Sequence, residues 1–323
     1  MAAPHRIDVH HHILPPRYVE AVGEAAIGQL LVSGKAPKWT PQIALDVMDR
    51  HGIEKAYTSM SAPGVSGCSE SETSAIVRSF NDDAATMRRD YAGRFGTFSY
   101  LPLPHVAPSL AEISRVFDET GTDGIGLLTS YGDRLLGDPA FDPVFRELDR
   151  RGAIVFVHPD VGPCSCHIPG VPAATIDFPF DTTRAILSLM MHGTFQRCPN
   201  IRFIFSHAGG TVPFLAERMA RLERIPANRE LLKPGVISML KKLYFDTALS
   251  ANKYAFSALT ELVSHRNILF GSDYPFAPED TTAASVKGLA ELALPPEHLA
   301  AIERCNALEL FSTSGAQKPA NPR

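Results

Sequence analysis

Apolar residues along the chain gather into eight short runs, near 6–12, 55–62, 95–103, 124–131, 153–159, 203–209, 243–249 and 267–274. Most are β-branched or aromatic and close at Gly, Pro or polar clusters, the pattern of strands buried on both faces. Between them lie amphipathic stretches of helical length, clearest at 41–51, 69–92, 107–120, 140–151, 180–197, 213–224, 252–264 and 281–293. Strand and helix therefore alternate throughout, which predicts a parallel sheet of the α/β class. Eight such units predict a closed (β/α)8 TIM barrel. An open doubly wound sheet is the competitor, but that fold usually offers a Gly-rich phosphate loop after its first strand, and here the first run ends in histidines.

Two connections are long for this architecture: Ile13 to Thr40, which holds Pro15, Pro16 and the single tryptophan, Trp39, and Asp160 to Phe178. Both follow runs that end in metal-ligand residue types, so both are expected at the catalytic mouth, with 13–40 as a lid-like insertion. A last helix, opened by Leu294-Pro295-Pro296-Glu297 and running to about Phe311, is expected to pack outside the barrel. Residues 312–323 read as a frayed tail, leaving 1–311 as one domain with neither internal repeats nor a shift in composition.

With 323 residues, 45% hydrophobic and 20% charged, the chain is long enough for an undivided barrel. A net charge of −4 with dispersed Lys and Arg offers no basic face for nucleic acid. No apolar stretch approaches the roughly 20 residues of a spanning helix, and Met1 to Arg6 lacks the apolar core of a signal peptide. The expectation is a soluble, cytoplasmic protein. Five cysteines, odd in number and unevenly spaced, suit a reducing compartment. Cys164-Ser165-Cys166-His167 looks like half a zinc knuckle but lacks a second Cys or His pair at usable spacing.

Chemistry concentrates at the ends of four runs. In Ile7-Asp8-Val9-His10-His11-His12, strict alternation places His10 and His12 on one face with Asp8, and Val9 and His11 on the other. Ala153–His158 and Ile201–His207 each close on a histidine before Pro or Gly, and Asn267–Asp273 closes on a carboxylate. A barrel gathers catalytic groups at the C-terminal ends of its strands. His10, His12, His158, His207 and Asp273 are thus candidates for one centre, with donors that suit Zn²⁺ and also accept Mn²⁺, Fe²⁺ or Co²⁺. A second metal needs a bridging Lys or Glu after strand four, where Leu127-Leu128-Thr129-Ser130-Tyr131-Gly132 has neither. One divalent ion is expected, Zn²⁺ in the first place and Mn²⁺ in the second.

The combination of His-x-His, Val157-His158-Pro159, Ser206-His207-Ala208-Gly209-Gly210 and Gly271-Ser272-Asp273-Tyr274-Pro275 resembles the amidohydrolase superfamily, in its branch around aminocarboxymuconate-semialdehyde decarboxylase. The likeness runs from Ile7 to about Phe311. It implies His10, His12, His158 and Asp273 as metal ligands, with His207 as an acid/base beside them. An arginine eleven residues beyond the histidine, Arg218, matches one that in relatives reaches a neighbouring subunit's site and grips a substrate carboxylate, which implies a homodimer or higher homo-oligomer. An ordinary solvated arginine is the alternative. Finer motifs, His10–Pro16, Ser61–Gly64 and Phe178–Arg184, are similar to the subgroup of 6-methylsalicylate decarboxylase. Trp39, Phe178 and Phe180 become candidate aromatic walls of a substrate pocket, or else plain core. Asp181 is a candidate to orient substrate or His158, or else a helix cap.

The resemblance implies metal-dependent, non-oxidative decarboxylation of a small aromatic acid, an ortho-hydroxybenzoate such as 6-methylsalicylate, with Asp273 delivering the proton and His207 holding or relaying it. Hydrolysis of a lactone, amide or carbon-carbon bond by the same mononuclear centre uses the same ligands. A barrel that binds a metal or small ligand without catalysis is the third reading.

Overall fold

The computed structural model describes residues 5–165 and 168–312. Eight strands form one parallel sheet in chain order: β1 (Arg6–His12), β2 (Ile53–Ser59), β3 (Phe95–Tyr100), β4 (Gly124–Leu128), β5 (Ile154–His158), β6 (Arg202–Phe205), β7 (Tyr244–Asp246) and β8 (Ile268–Leu269). The ring closes where the chain leaving β8 returns to β1. Val9 N–H donates to the Phe270 carbonyl at 2.9 Å and His12 N–H to the Tyr274 carbonyl at 2.7 Å. The predicted TIM barrel is therefore the fold. A two-residue hairpin (Ser130–Tyr131 with Arg134–Leu135), unforeseen in the hydrophobic pattern, follows β4.

An inner cluster of Ile7, Val9, Phe98, Phe156, Ile204 and Leu269 fills the lower barrel, and Ala307 and Leu310 of the last helix (Asn306–Ser312) join it. Phe98 stacks on Phe156 at 5.3 Å, and Phe311 lies over Tyr57 at 3.6 Å. The final helix thus plugs one end of the barrel rather than lying outside it, because its apolar face has only the exposed barrel end to bury against. A larger apolar layer sits between the sheet and the surrounding helices.

Three local expectations need correction. The strict alternation in β1 fails: its pairing with β2 shifts register between Asp8 and His11, the mark of a bulge. Val9 lies in the inner cluster with Phe156, whose ring also meets that of the next residue, His10, at 5.0 Å, while the Asp8 carboxylate meets the His11 ring at 3.1 Å. The segment 13–40 is not plain loop, since it folds into helices Pro16–Val22 and Glu24–Gly28. The helix expected at 180 starts at Ala173 and continues to Met191 with Pro179 inside it. An interior proline removes a backbone donor and usually breaks a helix, yet this helix runs through Pro179. Asp181 therefore lies within that helix and caps nothing. The half-knuckle at 164–167 has Cys166 and His167 outside the described residues, as are 313–323. Among the described residues, no helix is long and apolar enough to cross a membrane.

Candidate metal centre and active site

His10 and His12 leave the end of β1, His158 ends β5, and Asp273 follows β8. One potential ligand atom from each lies within 4.8 Å of all the others. His10 Nε2 and His12 Nε2 are 3.0 Å apart, and Asp273 Oδ1 stands 3.1 and 3.0 Å from them, with His158 Nε2 at 3.9 Å. All four side chains are buried.

The opposite ring nitrogens decide what these atoms do. His10 Nδ1 donates to Asp246 Oδ2 at 2.8 Å, His158 Nδ1 to the Pro159 carbonyl at 2.8 Å, and His12 Nδ1 to the Ser59 carbonyl at 3.3 Å, with the Ser59 hydroxyl oxygen beside it at 3.0 Å. Carboxylate and carbonyl oxygens only accept, so each Nδ1 carries the proton and each Nε2 is left with a lone pair for the centre. Two lone pairs meeting at 3.0 Å repel unless a proton or a cation stands between them. A tetrahedral ion with bonds of about 2.0–2.2 Å holds its ligands roughly 3.4 Å apart. The spacings found here bracket that value, and three imidazoles with one carboxylate are the donor set of a divalent transition ion. The residues fit a metal.

Electrostatics point the same way. Burial opposes a charge on His10, but the Asp246 and Asp273 carboxylates outweigh it and lift the pKa to about 10. Burial takes His12 down to about 4 and His158 well below its usual range. Burial alone would raise Asp273, yet the positive His10 beside it holds the carboxyl well below normal. A proton on His10 and a cation compete for one lone pair.

His207 approaches the same carboxylate from the other side: its Nε2 lies 3.4 Å from Asp273 Oδ2. Asp273 therefore turns one oxygen to the three imidazoles and the other to His207. Both residues occupy left-handed backbone, with φ of 52° at His207 and 61° at Asp273, conformations that non-glycine residues hold only when their surroundings impose them. Asp246 Oδ1 fixes the first by accepting the His207 N–H at 2.9 Å. The second is fixed by Asp273 N–H donating to the His10 carbonyl at 2.8 Å. After His207 the chain presses on the neighbouring helix: a Cβ on Gly210, itself at φ 65°, would stand 2.0 Å from the Pro179 carbonyl oxygen.

The remaining candidates are scattered. The Phe178 ring packs edge-on to His158 at 6.0 Å, whereas Phe180 is 41% exposed. Trp39 lines a groove of about 850 Å³ within the insertion, together with Leu14, Pro16 and Val19, and that lining includes none of the five clustered residues. Arg218 is exposed on the helix Val212–Ala220. Asp181 is buried and bonded to Thr129 rather than to a ligand.

Three participants escaped the sequence. Asp246 ends Leu243-Tyr244-Phe245-Asp246, a further apolar run closing on a carboxylate, and that position was the available signal. Asp8 accepts the Ser272 hydroxyl at 2.6 Å and the Ser272 and His10 N–H groups at 3.0 Å each, tying β1 to the segment that carries Asp273. Phe276 stands 5.2 Å from His12, edge to face, and nothing in its local pattern marked it.

A buried metal-binding group of three histidines and one aspartate at one rim of a parallel eight-stranded barrel defines the class, and the chain belongs to the amidohydrolase family, whose model matches residues 7–313. It is 35% identical over 314 residues to a 6-methylsalicylic acid decarboxylase of Penicillium expansum, covering 95% of this chain and 96% of that protein. Over 296 residues it is 26% identical to a 2-amino-3-carboxymuconate-6-semialdehyde decarboxylase of Dictyostelium discoideum, covering 84% and 82%. A crystal structure of an amidohydrolase II superposes with a TM-score of 0.88 at 29% identity, over 95% of this chain and 99% of that one. These relatives match the branch that the sequence motifs resemble.

Because His10 keeps its proton until the pH nears about 10, while His12 and His158 are neutral and Asp273 is ionised at pH 7, binding one ion at pH 7 should expel about one proton. Calorimetric titration of Zn²⁺ in buffers of different ionisation enthalpy measures this number. Affinity should rise with pH across the neutral range, and a value of zero protons would contradict the assignment of His10.

Proposed function

We propose that the protein is a metal-dependent, non-oxidative decarboxylase of an ortho-hydroxybenzoate, with 6-methylsalicylate as its substrate. The chain is a carboxy-lyase of the amidohydrolase superfamily. The observation that carries the reading is the division of Asp273, with Oδ1 among the imidazoles and Oδ2 facing His207. The substrate comes from the Penicillium expansum relative, which shares 35% of its residues along almost the entire chain.

His10, His12, His158 and Asp273 are the residues to hold one divalent ion, Zn²⁺ before Mn²⁺. Bound there, the ion supplies a Lewis acid for the substrate's carboxylate and phenolate oxygens. Asp273 is ionised at rest, so His207 Nε2, 3.4 Å away, first hands a proton to Asp273 Oδ2, which passes it to the ring carbon that bears the carboxylate. That carbon becomes tetrahedral, the bond to the carboxylate breaks, and its electron pair restores the aromatic ring as CO₂ leaves. One proton is consumed for each CO₂ released. Phe276 beside His12 and Phe178 beside His158 provide apolar faces against which a flat ring is held away from water.

Arg218 and the oligomer belong to the same proposal. Arg218 is exposed, and Phe214 on the same helix is 85% exposed, a large apolar side chain on the face that follows the His207 turn. A second copy of the chain packed there covers Phe214 and brings Arg218 to the neighbouring site, where its guanidinium forks a carboxylate.

Two outcomes follow. With 6-methylsalicylate and metal-loaded protein in H₂¹⁸O, the decarboxylated phenol should form together with CO₂ that is free of solvent oxygen when trapped before it hydrates, and His207→Ala should lower kcat by about 10²–10⁴ with its metal content unchanged; bicarbonate released already carrying one ¹⁸O would establish hydrolysis instead. Mixing inactive Arg218→Met and inactive Asp273→Asn subunits should restore roughly a quarter of wild-type activity, the share expected for randomly assorted dimers with one intact site in each mixed pair. No recovery after subunit exchange would place Arg218 outside the site.

A further inference from the structure

We infer that Thr129 and Asp181 form a positioning pair that aims His158 at the metal, although neither touches a ligand side chain. The inference rests on the metal reading above. Thr129 directly follows β4, whose Leu128 is paired with His158 of β5. Its backbone N–H donates to the His158 carbonyl at 3.0 Å, and its hydroxyl oxygen accepts the Asp160 N–H at 2.9 Å. One residue therefore grips both sides of the His158-Pro159-Asp160 corner.

The same corner sets the imidazole, because the Pro159 carbonyl holds His158 Nδ1 at 2.8 Å and thereby turns Nε2 to the centre. A threonine hydroxyl has a single proton. Here it is directed to Asp181 Oδ2, 2.5 Å away, which leaves the oxygen's lone pairs free to accept the Asp160 N–H. Asp181 thus fixes which way the hydroxyl works.

Asp181 is an expensive residue for a helix interior packed against a barrel. It is fully buried, its Oδ1 has no hydrogen-bond partner among the described residues, and burial pushes its carboxyl pKa up. The loop after β5 is moulded to it as well: a Cβ on Gly162 would lie 1.8 Å from Asp181 Oδ1, so the backbone passes directly over the carboxylate. The corner is held from β4 by Thr129, and the loop that continues it lies against Asp181 in the helix Ala173–Met191.

Competition against a chromogenic chelator, with Zn²⁺ as the probe, tests the pair without recourse to activity. Thr129→Val preserves shape and loses the hydroxyl, and should raise the Zn²⁺ Kd by about 10–100-fold. Thr129→Ser and Asp181→Asn keep a donor and an acceptor respectively and should bind close to wild type. The visible ligand-field spectrum of the Co²⁺-loaded protein should change in Thr129→Val and not in Thr129→Ser. Equal affinity in Thr129→Val and wild type would overturn the inference, as would equal weakening in Thr129→Val and Thr129→Ser. A wild-type protein that retains no ion overturns the metal reading and this inference with it.

Discussion

Three imidazole nitrogens and a carboxylate oxygen facing one another in a dry barrel rim are the constraint on which the rest of the molecule turns. Each Nδ1 is held by a partner on its far side, Asp246 for His10, the Ser59 carbonyl for His12 and the Pro159 carbonyl for His158, so that each Nε2 faces the centre. Without an ion the group is reconciled only by an extra proton on His10, held between Asp246 and Asp273. A divalent ion resolves every one of these conflicts at once. The barrel supplies the rigidity that keeps the conflicting atoms from relaxing apart, with β1 tied to the Asp273 segment through Asp8 and Ser272.

Much of this was legible in the chain. Apolar runs ending on His10, His12, His158, His207 and Asp273 announce both a parallel barrel and a site at its C-terminal rim, since strand period and burial leave a simple mark on sequence. What escaped has a different character. The bulge in β1 depends on pairing with β2 and on Val9 finding room beside Phe156, neither of which a period-two reading sees. Asp246 acts through contacts made 236 residues away, so only its place at the end of a strand hinted at it. The helix through Pro179 and the burial of Asp181 within it reflect tertiary packing that overrides a local breaker.

The fold does not separate decarboxylation from hydrolysis, because a barrel rim with these ligands serves both. A carboxylate that gives one oxygen to the imidazoles and the other to a histidine at 3.4 Å is placed to accept and deliver a proton without leaving the centre. His207 and Asp273 share left-handed backbone at corners of the same rim, and Asp246 holds both the His10 ring and the His207 backbone N–H, so one carboxylate ties a residue of the cluster to the histidine beside it. The insertion at 13–40 places Trp39 along a groove lined by none of the clustered residues, while its Leu30 packs in one apolar cluster with Phe178.

X-ray absorption at the metal edge of the purified protein, combined with elemental quantification, tests the central claim most directly. The account predicts one divalent ion per chain, in a shell of light N and O donors at about 2.0–2.2 Å with imidazole scattering beyond it. Protein that holds no stoichiometric ion after metal loading, or one bound through sulfur, would contradict it.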